Sequence, residues 1–150
     1  MNNDPPPRST AGTAGHPIHP MLVPFPVVCF TGALLTDIAY AGSADMMWAN
    51  FSAWLLAAGM AMGALAALAG LVDFLRGRRV RTQRPAWLYR LGSLVVLVLA
   101  LFNNFVHSRD AWTSVVPTGL GLSAATVAAM LATAWLGASP VHRHRVGVAA

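Results

Sequence analysis

The stretch from Arg76 to Arg90, RGRRVRTQRPAWLYR, constrains this chain more than any other. It holds six of the ten arginines, and apolar runs of membrane length flank it on both sides. Positive charge resists transfer across the inner membrane, so a basic segment between two such runs reads as a cytoplasmic loop. Spans are expected over about 21–40, 51–75, 87–106 and 115–136. At a rise of about 1.5 Å per residue, a twenty-residue span covers about 30 Å, the thickness of the hydrocarbon core. With the arginine loop inside, both termini are cytoplasmic, and the loops near Asp45 and Arg109-Asp110 lie outside. Arg143 and Arg145 in the C-terminal tail agree with that sidedness.

Composition supports a membrane domain over a soluble core. The chain is 56% hydrophobic and 10% charged, where a soluble domain carries about 25% charge. The expected class is all-α: a four-helix membrane bundle, two hairpins over 21–75 and 87–136 joined by the basic loop. The net charge of +5 sits in that loop and the tail, so topology explains it without a nucleic-acid partner. Cys29 stands alone, which excludes an intrachain disulfide and CxxCH attachment of a c-type haem. A single thiol in an apolar helix reads as packing.

Residues 1–15, rich in Pro, Ser, Thr, Ala and Gly, read as a disordered cytoplasmic tail. Residues 138–150 form a second cytoplasmic tail. The segment His16-Pro17-Ile18-His19-Pro20 leads into Pro24 and Pro26. Each proline lacks an N–H and biases its predecessor toward extended backbone. A regular helix is therefore expected from about Pro24 or Pro26, with an extended segment at the membrane surface before it. Ala39-Tyr40-Ala41 resembles a signal-peptidase site, but the preceding apolar run is long and proline-laden for a cleaved leader.

Helical spacing assigns inward faces. Gly59, Gly63, Ala66, Gly70 and Asp73 form one seam in the second span, and small residues on such a seam let backbones approach. Gly119, Ser123, Thr126, Met130, Thr133 and Gly137 repeat the pattern in the fourth. Phe30, Ala33, Asp37 and Tyr40 align in the first. Ser93, Ala100, Asn103 or Asn104, and His107 share a side of the third. The glycines read as packing surfaces. The ionisable residues ask for partners, because a lone charge in lipid is costly.

Sidedness sorts the polar residues into two groups about 25 Å apart. His16, His19 and Asp73 gather at the cytoplasmic end, where the tail residues His142 and His144 can join them, so that a single haem would need His19 with His16 or with a tail histidine. Asp37, Asn103, Asn104, His107 and Arg109 gather at the outer end. A b-type haem held between two imidazoles needs both at one depth, so His19 and His107 cannot form that pair. Two imidazoles and a carboxylate suit a divalent metal such as zinc or iron, which makes His16, His19 and Asp73 the candidate metal ligands. The structural alternative is that His16 and His19 bond backbone carbonyls freed by the prolines, or Asp73. For the outer group, Asp37 is expected to bond His107 or Arg109, either as a tie between the first and third helices or as part of a proton or ion relay. Asn103 and Asn104 read as interhelical glue.

HPIHPMLVPFP at the opening of the first span, Asp37 near its end, and GLVDFL (Gly70 to Leu75) at the close of the second resemble the bacterial domain-of-unknown-function 2231 family of small membrane proteins. The resemblance covers about residues 16 to 110, and the fourth span fits the family's four-helix plan. Many members carry a histidine where this chain has Pro24. The resemblance implies an inner-membrane protein with His16, His19, Asp37 and Asp73 at matching positions. Related domains occur beside cytochrome-like or iron–sulfur modules, which implies a redox setting.

Three functional classes follow. One is a non-enzymatic membrane component that binds haem b or a divalent metal at the cytoplasmic end and serves a redox partner. Another is an assembly module whose polar groups only staple helices. The third is a small proton or ion transporter using Asp37 and Asp73, against which the long apolar middles of the spans argue. No nucleophile–base pair or phosphate loop is visible, so hydrolase and kinase chemistry are not expected. The partners expected are the lipid bilayer, a redox protein and, on leftover small-residue faces, a second copy of the chain.

Overall fold

The computed structural model describes residues 12–13, 16–76, 84–109 and 115–144, with side chains over 18–72, 75, 87–109 and 115–136. Five α-helices follow one another: α1 (Ile18–Leu22), α2 (Pro24–Ser43), α3 (Met46–Arg76), α4 (Arg84–His107) and α5 (Leu120–His144). A kinked turn, Val115–Gly119, leads into α5. Four candidate membrane spans result: Ile18–Ser43, Met46–Val72, Trp87–His107 and Val115–Leu136. Only helices satisfy every backbone polar group internally, which is why apolar runs of this length fold this way in lipid. The leucines, valines and phenylalanines that face outward, such as Val28, Leu35, Leu68, Leu94 and Phe105, are exposed as lipid-facing residues should be.

The segment before α2 is extended over His16–Pro17 but helical over Ile18–Leu22, where extended backbone is expected. His16–Pro17 pairs with Gly12–Thr13 in a two-residue antiparallel ladder, and Ile18–Leu22 then closes a helical turn around Pro20. Proline is tolerated there because the first turn of a helix has no intrahelical partner for its N–H groups. Pro24 and Pro26 open α2 for the same reason.

Between α2 and α3 the chain reverses in two residues. Ala44 adopts the left-handed conformation (φ 55°) and its N–H bonds the Tyr40 carbonyl. Asp45 then accepts the Met47 N–H at 2.9 Å, an N-cap for the first turn of α3. α3 is 31 residues long, about 46 Å, so it outlasts the hydrocarbon core and carries the chain into the basic loop.

The helices form an up-down-up-down ring. α2 packs on α3 and α5, and α4 packs on α5 and α3, which leaves α2 and α4 on one diagonal. Glycines set the close approaches. A Cβ on Gly59 would lie 2.6 Å from the Phe30 ring, and one on Gly63 2.7 Å from Leu97. Phe30, Ala33, Leu56, Val96 and Ala100 form the apolar centre of the bundle. A second apolar layer, Tyr40, Ala49 and Val115, closes the end where α2 meets α3.

Candidate functional site

Between those two apolar layers lies a buried polar cluster. Asp37 faces inward because it falls on the same stripe of α2 as Phe30, Ala33 and Tyr40, all buried. Its carboxylate is fully buried and meets two other helices at once. Oδ1 lies 2.9 Å from His107 Nε2 on α4. Oδ2 accepts the Ser123 hydroxyl of α5 at 2.5 Å. Ser123 Oγ accepts in turn from Asn103 Nδ2 at 2.8 Å. The other ring nitrogen of His107 donates to the Asn103 carbonyl, one turn back on α4, at 3.0 Å.

These bonds fix the proton count. A carbonyl oxygen only accepts, so His107 Nδ1 carries a proton. One further proton lies between Nε2 and Oδ1: on the ring it makes imidazolium and carboxylate, on the acid it makes imidazole and carboxylic acid. Either way the cluster as a whole is neutral. Charge neutrality is what allows an aspartate with 0% exposure to sit inside a membrane bundle. One acceptor is left over: Asn103 Oδ1 is buried without a hydrogen-bond partner among the described residues.

The three residue types of a hydrolytic triad are present but wired in another order. In a working triad the imidazole stands between acid and hydroxyl and takes the hydroxyl proton. Here the carboxylate stands in the middle. Both nitrogens of His107 are committed, to Asp37 and to the Asn103 carbonyl, so no base serves Ser123. The same commitment removes His107 as a haem or metal ligand in this arrangement.

α3 adds a smaller polar contact beside the cluster. Thr36 Oγ1 lies within reach of the Gly32 and Ala33 carbonyls and shares a 2.7 Å hydrogen bond with Ser52 Oγ.

At the other end of the bundle, His19 leans on α3. Its Nδ1 donates to the Ala66 carbonyl at 2.7 Å. Gly70 makes room for the ring, since a Cβ there would lie 3.2 Å from Nδ1. A backbone carbonyl as partner agrees with the structural alternative for His19, but the carbonyl belongs to the α3 seam and not to a proline-broken turn. His19 also borders an open groove of about 480 Å³, whose remaining walls are Pro20, Val23, Pro24, Val27, Val28 and Tyr89. The side chains of His16, Asp73, His142 and His144 lie outside the described residues, and with them the rest of the expected metal set. Among the described residues no three His, Cys, Asp or Glu gather as metal ligands.

Set against expectation, Asp37 and His107 meet, Asn103 is the asparagine that turns inward, and Asn104 is only half-buried. Arg109 is exposed and its side chain takes no part in the bonds around Asp37. His19 and His107 sit in separate groups, bonded to Ala66 and Asp37 respectively. Sequence reasoning missed Ser123 as a partner of Asp37, having placed it among the small packing residues of the fourth span. It missed the Thr36–Ser52 contact as well.

No curated protein and no solved structure matches the chain. A family model described as a predicted membrane protein, DUF2231, matches residues 15–150. Four helices able to span a bilayer and that match over nearly the whole chain together make this a multi-pass membrane protein that belongs to the DUF2231 family.

Proposed function

We propose that the protein is a non-enzymatic component of the bacterial inner membrane that holds a haem b or a divalent metal at the His19 end and serves a redox partner there. The observation that carries this reading is the bond from His19 Nδ1 to the Ala66 carbonyl. A histidine that ligates a metal commonly donates its other ring N–H to such a carbonyl, which fixes the tautomer and aims the free nitrogen. With Nδ1 protonated, Nε2 of neutral His19 keeps its lone pair. The proline and valine walls of the adjoining groove suit an apolar macrocycle better than a hydrated ion. A divalent metal would draw on His16 and Asp73 in addition. Bound haem would supply one-electron transfer, while this chain's part is to present the imidazole and exclude water. The redox setting itself rests on the family resemblance. Protein extracted gently and examined for its visible spectrum and metal content tests the reading. A haem spectrum or stoichiometric metal that disappears in His19→Ala is expected, and a blank result for the wild type overturns it.

A second reading, an assembly module, is favoured by the cluster around Asp37. It is neutral and lies between two apolar layers, the arrangement of a staple. On this reading His19→Ala lowers stability and removes no bound species. Transport is the least supported class. Phe30, Ala33, Leu56, Val96 and Ala100 separate Asp37 from the His19 end, and an ion would have to cross that layer unsolvated. Reconstituted protein is expected to give no ion or proton flux in a liposome assay, and measurable flux would reverse that ranking.

A further inference from the structure

We infer, resting on the haem reading above, that Tyr89 of α4 stands opposite His19 and supplies the second protein ligand, an oxygen, to a ferric haem b. A spacing shared by two helices leads to this residue. His19 lies eighteen residues before Asp37, and Tyr89 lies eighteen residues before His107. Eighteen residues are five turns of an α-helix and about 27 Å of rise. α4 is continuous over both Tyr89 and His107. α1 runs into α2 with little interruption: the Val23 N–H bonds the His19 carbonyl at 3.3 Å, and Val23 itself has right-handed helical angles (φ −56°, ψ −38°). His19 therefore repeats the face of Asp37, and Tyr89 repeats the face of His107.

In an up-down-up-down ring α2 and α4 run in the same direction. The 2.9 Å bond between Asp37 and His107 fixes their relative height and rotation at one end. Five turns away, at the other end, His19 and Tyr89 come to one depth across the same diagonal. Both line the groove of about 480 Å³, and its other described walls are Pro20, Val23, Pro24, Val27 and Val28, which carry no ligating atom in their side chains. Both are half-buried. The chain has two tyrosines, and the other, Tyr40, directs its hydroxyl at Met46 Sδ at the far end of the bundle.

The sequence points to His16 or a tail histidine as the counterpart of His19, and the side chains of those residues lie outside the described ones. Tyr89 meets the same requirement from α4, because imidazole and phenolate are both side chains that hold haem iron. With His19 Nδ1 donating to the Ala66 carbonyl, Nε2 is the nitrogen that ligates. On ligation by Tyr89 the phenolic O–H bond breaks and an oxygen–iron bond forms. The proton leaves to water at this end of the bundle, and no electron changes hands. An anionic oxygen favours iron(III), the more highly charged state, which is why the ferric form is the one expected to bind.

Titration of the full chain in lipid nanodiscs with ferric haem b, followed by optical and resonance Raman spectroscopy, tests this. Bound haem is expected to show iron–phenolate vibrations, which Tyr89→Phe abolishes. Tyr89→His is expected to convert the spectrum to the low-spin form of a haem between two imidazoles, because both then share one level. Should Tyr89→Phe fail to fold, that conversion alone decides the assignment. Haem that is lost in His19→Ala but shows no iron–phenolate vibrations in the wild type, or a spectrum that neither change at Tyr89 alters, overturns the inference and leaves His19 as a ligand. Wild-type protein that takes up no haem, or takes it up equally in His19→Ala, overturns the reading of the His19 end and the inference with it.

Discussion

Asp37 of α2 and His107 of α4 are bonded at 2.9 Å across the diagonal of the helix ring, between two helices that otherwise barely pack on each other. Neighbouring helices in lipid gain most from small-residue packing. A diagonal pair has no such contact to draw on, so this bond and the Ser123 bond beside it fix how α2 sits relative to the α4–α5 hairpin. Removing one partner of a buried pair leaves the other uncompensated, at a cost of about 3–5 kcal/mol. Asp37→Ala and His107→Ala are each expected to destabilise the bundle on that scale. The double variant should cost clearly less than the two together, as coupled sites do. Unfolding titrations in detergent measure all three, and a strictly additive result would mean that the bond contributes nothing of its own.

Ala44 holds a positive φ of 55° in the two-residue link between α2 and α3. A Cβ in the left-handed region costs roughly 1–2 kcal/mol, and glycine escapes that cost at some loss of chain entropy. Ala44→Gly is therefore expected to stabilise the protein by about 0.5–1 kcal/mol, with the Asp45 cap kept. Thermal unfolding in detergent decides it, and a lower melting temperature than wild type would contradict the strain assigned to this turn.

Much of this was legible before the structure. Spacing alone placed Phe30, Ala33, Asp37 and Tyr40 on one buried face, because the 3.6-residue period is a local property of the helix. Sorting by depth put Asp37 with His107 and apart from His19, because antiparallel spans of similar length fix levels from sequence position. Ser123 was harder. A serine on a stripe with Gly119 and Thr126 looks like any small packing residue, and its bond to Asp37 depends on how α5 is rotated about its axis. A kink also precedes α5, where Val116 is extended (φ −116°, ψ 130°). The link between Thr36 and Ser52 escaped for a related reason: both are ordinary helix hydroxyls until two particular faces are brought together.

Gly92 is where α4 and α5 come closest to needing glycine. A Cβ there would run into Oγ1 and Cγ2 of Thr133, with Thr133 Cβ 3.1 Å away. Thr133 is buried and holds its hydroxyl on the Ala129 carbonyl, so it cannot turn aside freely. Gly92→Ala is expected to destabilise the hairpin by about 1–3 kcal/mol, the usual cost of overpacking. Adding Thr133→Ala removes the two nearest atoms and should recover part of that loss. Failure of the second change to relieve the first, in the same unfolding assay, would show that this contact does not limit the approach of the two helices.

Sidedness can be read by chemical labelling. The arginine concentration between 76 and 90 leads us to expect that stretch on the cytoplasmic face. Cys29 lies within α2 and is the only native thiol, so Cys29→Ala gives a background free of cysteine. In that background Asp45→Cys, at an exposed position of the α2–α3 link, should react with a membrane-impermeant maleimide added to intact cells freed of their outer barrier. Thr82→Cys, in the arginine-rich stretch, should react only after the inner membrane is permeabilised. The reverse pattern would turn the bundle over, moving His19 to the outer face and the Asp37–His107 cluster to the inner one. The compartment in which a redox partner would meet His19 follows from that result.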